Sequence, residues 1–315
     1  RPSNPIMTRS IPFTMLFFLL ALAQWRCARE IYIDLPDAPP QIVALSHFTD
    51  GQPFRVEVSI SQGLFDAGEP TIPEVADVTI SKGGQFLDKL RRAYSEDGKL
   101  YWESRDTAFT GIEYAVAVRI AGYPLAEAGS SVPEHAGLRP LVVNPADIRI
   151  EPLADGRSAL RAPLVLEVAN MPESDRFFAF NLRHETEVLQ VVNGQPIVDY
   201  SYERGSFFLA DGRTLSLLHN IPEPVVLINE QFWSNNRRTI FLDALIPFDP
   251  ETERPRRIFV EWRTLSEEFY RYHLSLSRQG NNLPLSDPDA VYNNIRGGLG
   301  NFSGYAVSVD TLELL

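Results

Sequence analysis

His184-Glu185-Thr186-Glu187 is the first place in this chain where residue types and spacing suggest chemistry. A metal-binding histidine beside a general-base glutamate is half of a zinc-protease helix, but the second histidine, due four residues on, is Val188. Phe178, Phe180 and Leu182 alternate just before it, so the segment reads as a strand and no metal is assigned. His47, His135, His219 and His273 share no spacing that would gather ligands, and His273 reads as a satisfied core histidine on a helix. Gly297-Gly298-Leu299-Gly300-Asn301-Phe302-Ser303-Gly304 has the glycine density of a phosphate cradle. A dinucleotide fingerprint needs G-x-G-x-x-G at a strand-to-helix turn; here the last glycine comes one place late and leads into the alternating Tyr305, Val307 and Val309. The stretch reads as a tight loop between elements, with Phe302 and Tyr305 folded back onto the core, and no cofactor is assigned.

Ser286-Asp287-Pro288-Asp289, with Asn293 and Asn294, gathers oxygens suited to calcium, but not at EF-hand spacing, and aspartates beside prolines are ordinary turn residues. There is no G-x-S-x-G elbow. Carboxylates are plentiful, yet nothing in their order selects a glycosidase pair. No catalytic residue is assigned, and the chain is expected not to be an enzyme.

The single cysteine, Cys27, ends an apolar stretch. Thr8 and Arg9 open a basic start, Ile11 to Ala23 is almost wholly apolar, and the run is too short to span a bilayer, so residues 7–26 read as an export signal peptide. Cleavage before Cys27 would leave a lipid-modified cysteine; cleavage after Ala21-Leu22-Ala23, which fits the small-x-small rule, would release a soluble protein. Gln24-Trp25-Arg26 is an untypical approach to a lipidation site, whereas a lone exported cysteine with no disulfide partner favours one.

Removing that signal from 315 residues leaves chain for about two domains of ~100–200 residues, large enough to bury a core without disulfides. A net charge of −12 argues against nucleic-acid partners, since the Arg237-Arg238 and Arg256-Arg257 pairs form no basic surface. Asp34-Leu35-Pro36-Asp37-Ala38-Pro39-Pro40 is too proline-rich for ladder or helix, so residues 27–40 read as an anchor and stiff spacer.

Strands must position whatever site exists. From Phe54 to Ser61 apolar and polar residues alternate strictly, and similar runs recur at Ala76–Ile80 and Tyr114–Ile120, punctuated by Asp50-Gly51, Gly83-Gly84 and Asp97-Gly98. The pattern recurs at Leu164–Val168, Phe177–Arg183, Thr239–Ile246, Ile258–Trp262 and Tyr305–Leu312. The proline- and glycine-bearing stretch from Ser130 to Pro145 is the expected boundary. One helix is expected from Thr264, with Glu267 completing a capping box, Phe269, Tyr272, His273 and Leu276 at helical spacing, and Gly280 as the stop. The expectation is a mainly β fold: an N-terminal immunoglobulin-like or transthyretin-like β-sandwich over 41–135, then a β-rich domain over 136–315 with one C-terminal helix.

Several segments together resemble the domain-of-unknown-function family 4249, exported lipoproteins of one Gram-negative phylum. The resemblance rests on Cys27-Ala28-Arg29-Glu30-Ile31-Tyr32-Ile33-Asp34-Leu35-Pro36, Phe48-Thr49-Asp50-Gly51 and Glu268-Phe269-Tyr270-Arg271-Tyr272. It rests further on Pro284-Leu285-Ser286-Asp287-Pro288 and Asn293-Asn294-Ile295-Arg296-Gly297-Gly298-Leu299-Gly300-Asn301-Phe302. It implies lipidation at Cys27, outer-membrane attachment and work beside a TonB-dependent receptor in nutrient uptake; the ligand is unknown and no catalytic residue is implied. The competing expectations are a surface or periplasmic hydrolase of glycans or peptides, and an envelope scaffold without a small ligand.

Overall fold

Alternation becomes sheet as the period-two rule requires. In β1 (Ile42–Thr49) and β2 (Pro53–Ile60) every second side chain, Ile42, Ala44, Phe48, Phe54, Val56 and Val58 among them, is buried. Next come β3 (Asp77–Lys82), the short β4 (Gln85–Lys89) and β5 (Arg91–Tyr94), which bury no side chain fully, then β6 (Leu100–Thr107), β7 (Glu113–Arg119) and β8 (Ala126–Ser131). The chain continues through β9 (Gly137–Val142), β10 (Arg149–Pro152), β11 (Ser158–Ala169), β12 (Phe177–Val192), β13 (Gln195–Arg204) and β14 (Ser206–Leu209). β15 (Leu218–Asn220), β16 (Val226–Ile228), β17 (Thr239–Phe248) and β18 (Glu253–Leu265) precede helix α1 (Glu267–Gln279) and the last strand, β19 (Leu299–Glu313). This computed structural model describes residues 39–63, 70–142, 145–169, 177–209, 218–220, 226–228, 239–279 and 290–314.

Three sheets form. The largest runs β15-β16-β12-β18-β19-β1-β2-β6-β5, with β13 added to β12; a second runs β10-β11-β17-β14 with β9 on β11; the third runs β4-β3-β7-β8. One core lies between the third sheet and the β1, β2 and β6 part of the large sheet, with Phe48, Phe54, Trp102, Tyr114, Val116 and Val118 fully or nearly fully buried. The other lies between the second sheet and β12 and β18, where Leu164, Leu166, Phe178, Phe180, Ile240 and Trp262 meet. The large sheet therefore serves both cores. At about 1.5–3 kcal/mol for each fully buried large apolar side chain, these two clusters carry the stability of the fold.

β19 joins the two halves. Its first part pairs parallel with β1, from Val43 opposite Leu299 to Thr49 opposite Tyr305; its second pairs antiparallel with β18, from Leu265 opposite Tyr305 to Arg257 opposite Glu313. Ile295, Phe302 and Ala306, from the end of the chain, pack in the same core as Phe48 and Phe54. A cut near residue 135 would part that core from three of its own side chains. Within the expected boundary segment, Gly137–Val142 is itself a strand, pairing with β11 on the outside of its sheet where Pro140 costs no central ladder bond.

The helix begins two residues later than its capping-box pattern suggested. Thr264 is still strand, paired on both sides, and its Oγ1 accepts from the Ala136 amide at 3.0 Å. Ser266 caps instead: the Phe269 amide donates to its Oγ at 3.3 Å. The ladder occupies the backbone of Thr264 and Leu265, so the helix starts only once the strand is released. α1 buries Phe269, Tyr270 and His273 over Ala179, Leu227 and Leu265, with Phe177 stacked on Tyr270 at 4.5 Å. Gly280 lies outside the described residues. Among the described residues no helix is long and apolar enough to cross a membrane.

Candidate functional site

The outward face of the third sheet is floored by small residues. Val78, Ile80, Tyr114, Val116 and Val118 point into the core, so the alternate residues Thr79, Ser81, Ala115 and Ala117 must point out. The register sets Thr79 beside Ala117 and Ser81 beside Ala115, with Gly129 of β8 opposite Ala115. Short side chains over three adjacent strands leave a trough of about 660 Å³. That volume lies within the usual range for small-molecule sites.

Its walls carry the chemistry. Phe86, paired with Ser81 on β4, stands 70% exposed at one side. The opposite wall comes from the end of the chain: Arg296 and Glu127 exchange backbone hydrogen bonds at 2.7 and 2.9 Å, and the Arg296 guanidinium meets the Glu127 carboxylate. Arg119 stands at one end and makes no ion pair among the described residues. An aromatic face, two hydroxyls and an open guanidinium suit a ligand with an apolar ring face and an anionic group. Glu127, held by Arg296, forms part of the wall.

The far wall depends on the glycine block, which proves to be a seam within and beside β19 rather than a loop between elements. A Cβ on Gly298 would lie 2.5 Å from the Ile42 carbonyl oxygen, and one on Gly304 would lie 2.2 Å from that of Ser131. Gly300 adopts φ +117°, and a Cβ there would lie 2.0 Å from the Ala44 carbonyl oxygen. Only residues without Cβ let β19 approach β1 and β8 this closely. Phe302 does fold onto the core, 4.6 Å from Phe48 between ring centroids.

Asn293 and Asn294 serve this seam. The Asn294 side chain donates to the Phe302 carbonyl at 2.8 Å and accepts from the Phe302 amide at 2.9 Å, mimicking a strand partner. Asn293 donates to the Gly298 carbonyl at 3.0 Å and accepts from the Ile295 amide at 2.9 Å. Asn301 and Ser303, both wholly buried, bond to one another, and Asn301 also donates to the Glu268 carbonyl on α1. Ser286 to Asp289 lie outside the described residues, as does Cys27.

The other sequence candidates scatter. His184, Glu185 and Thr186 are buried in β12, as strand and not helix. His184 Nδ1 lies 3.0 Å from Thr186 Oγ1; burial lowers its pKa, with Glu203 and Glu253 pulling upward. His47 and His273 meet between β1 and α1, 4.7 Å between ring centroids, against Phe269. Among the described residues no three His, Cys, Asp or Glu side chains gather as a metal site.

Sequence reasoning missed one surface entirely. β12 and β13 form a long hairpin closed by Asn193 and Gly194, both with positive φ, 54° and 77°, as a type I′ turn requires. Val191 at 75% and Tyr202 at 64% are the most exposed of its apolar residues, and Ile197, Val198 and Tyr200 are about half exposed. Asn-Gly between Val191-Val192 and Ile197-Val198 was the available signal.

The fold is that of a mainly β protein with multiple sheets and a C-terminal helix. A family model, the domain of unknown function DUF4249, matches residues 28–311, and the chain belongs to that family. No curated protein matches it. Among solved structures it is similar to a DUF4785 family protein from Legionella pneumophila, 11% identical over 70% of this chain and 51% of that one, TM-score 0.18. It is also similar to BspA_C_WT, 10% identical over 71% and 94%, TM-score 0.17. A third is the collagen binding domain of the Erysipelothrix rhusiopathiae surface protein RspB, 8% identical over 88% and 97%, TM-score 0.15. This chain spans about half the length of the Legionella protein. At such scores none of the three carries an argument.

Proposed function

We propose that this is a membrane-tethered binding protein of the outer membrane, without catalytic activity of its own, that captures an anionic oligosaccharide and works beside a TonB-dependent transporter. The trough on the third sheet is the observation that carries the reading. A sugar ring laid over Thr79 and Ser81 would stack an apolar face on Phe86 and place a carboxylate or sulfate at Arg119. The tether rests on the Met7–Cys27 pattern, and the partner on membership of a family expected to act with such receptors. One acyl chain binds a membrane only marginally, at ~0.8 kcal/mol per buried methylene, so lasting attachment needs the several chains of a lipoprotein.

A pull-down of the full chain from detergent-solubilised outer membranes, read by mass spectrometry, tests the partner; the reading expects a TonB-dependent transporter above background and fails on the partner without one. Palmitate labelling tests the anchor. Label should enter the wild-type chain and vanish in Cys27→Ala; label surviving that change would refute lipidation there.

A further inference from the structure

We infer that β13 is the seat of a symmetric pairing between two copies of this chain, strand edge to strand edge, antiparallel and centred on Tyr200. The edge is available: among the described residues β13 pairs only with β12. Nine of its ten residues are exposed. An open, apolar strand edge of this length is a template for a further strand.

Hairpin geometry says which groups that edge offers. A two-residue turn makes Val192 and Gln195 a hydrogen-bonded pair, and such pairs alternate along the ladder. Gln195, Ile197, Asp199, Ser201 and Glu203 therefore spend their backbone groups on β12. Val198, Tyr200, Tyr202 and Arg204 aim N–H and C=O outward. Pro196 falls in the outward set, the one place where a missing N–H costs the hairpin nothing.

Charge then selects the register. Pairing two copies about Asp199 would set that carboxylate against its own copy at the closest cross-strand spacing, and pairing about Ser201 would set Asp199 against Glu203. Pairing about Tyr200 avoids both. It places Tyr200 against Tyr200, Val198 against Tyr202, Asp199 against Ser201 and Ile197 against Glu203, and brings the proline only to the ends, opposite Arg204. On that face Val198, Tyr200 and Tyr202 each meet another apolar residue, and their outward N–H and C=O all find partners. Tyr202 is held ready by its hydroxyl, which donates to Glu185 at 2.7 Å.

Cysteine substitution in the full chain tests this arrangement. At the two-fold axis the Cα atoms of residue 200 would lie about 5.5 Å apart, within disulfide reach. Those of residue 197 would lie about 20 Å apart, at ~3.4 Å per residue. Under mild oxidation Tyr200→Cys should give a covalent dimer on a non-reducing gel, while Ile197→Cys and the wild-type chain, which carries Cys27, stay monomeric. Equal cross-linking of Tyr200→Cys and Ile197→Cys, or a Tyr200→Cys adduct to a different protein, would overturn the proposal. Sedimentation of the detergent-solubilised chain should show a concentration-dependent dimer, its midpoint moved at least ~10-fold upward by Tyr200→Lys, a loss of about 1.4 kcal/mol. That side chain is half exposed and its amide points away from β12, and circular dichroism checks that the variant folds. A chain that stays monomeric at its highest soluble concentration, or a dimer indifferent to Tyr200→Lys, refutes it.

Discussion

The seam along β19 and the arm of β12 and β13 are both strand pairings, yet one tolerates no added atom and the other stands open to solvent. In the seam Gly298, Gly300 and Gly304 face carbonyl oxygens at distances no Cβ can occupy, and Asn294, Asn301 and Ser303 satisfy buried backbone and side-chain groups. In the arm, Ile197, Val198 and Tyr200 are about half exposed and Val191 more so. A buried pairing is specified by shape and by complete hydrogen bonding, whereas an open one is specified by charge and by the partner it finds. The glycine and asparagine residues of the seam therefore maintain a fixed trough wall, while the arm stands open to solvent.

Substitutions should break this contrast in order of size. Gly300→Ala combines a positive φ with a clash against the Ala44 backbone, and we expect more than about 4 kcal/mol of destabilisation, read as loss of the cooperative thermal transition. Asn294→Ala leaves the Phe302 amide and carbonyl without partners and should cost about 2 kcal/mol by denaturant titration. Ile197→Ser on the arm should change stability by less than about 0.5 kcal/mol in the same titration. An Asn294→Ala value as small as that of Ile197→Ser would remove the distinction between the two regions.

A pH series sharpens the contrast at the root of the arm. Burial lowers the His184 pKa in the folded chain, so below the unfolded value near 6.5 the unfolded chain binds the extra proton first. The stability contribution is present above about pH 6.5 and lost as pH falls through the lowered folded value. Melting temperature should drop between about pH 7 and pH 5, and His184→Gln should flatten that drop.

Much of the fold was legible because alternation is a local signal. β2, β7 and the middle of β18 follow their expected runs closely. The seam was not, because Gly300 and Gly304 look like loop residues until β1 and β8 are brought against them. Thr264, with Glu267 three residues on, has the capping-box pattern that Ser266, followed by Phe269, lacks, and only the ladder continuing through Leu265 overrules it. β12 runs on past Arg183 through charged residues that one face of a covered sheet would not show. The trough had no sequence signal: Thr79, Ser81, Ala115 and Ala117 are ordinary strand residues, and their shortness matters only once three strands set them side by side.

Calorimetric titration of a short uronic-acid oligosaccharide into the wild-type chain and into Arg119→Ala tests the central claim most directly. The account predicts saturable binding by the wild type, weakened about tenfold or more in Arg119→Ala through loss of a charged contact of about 1.5–3 kcal/mol, with the oligosaccharide recovered uncleaved. Binding of equal strength by the two proteins, no binding by either, or recovery of shortened sugar would contradict it.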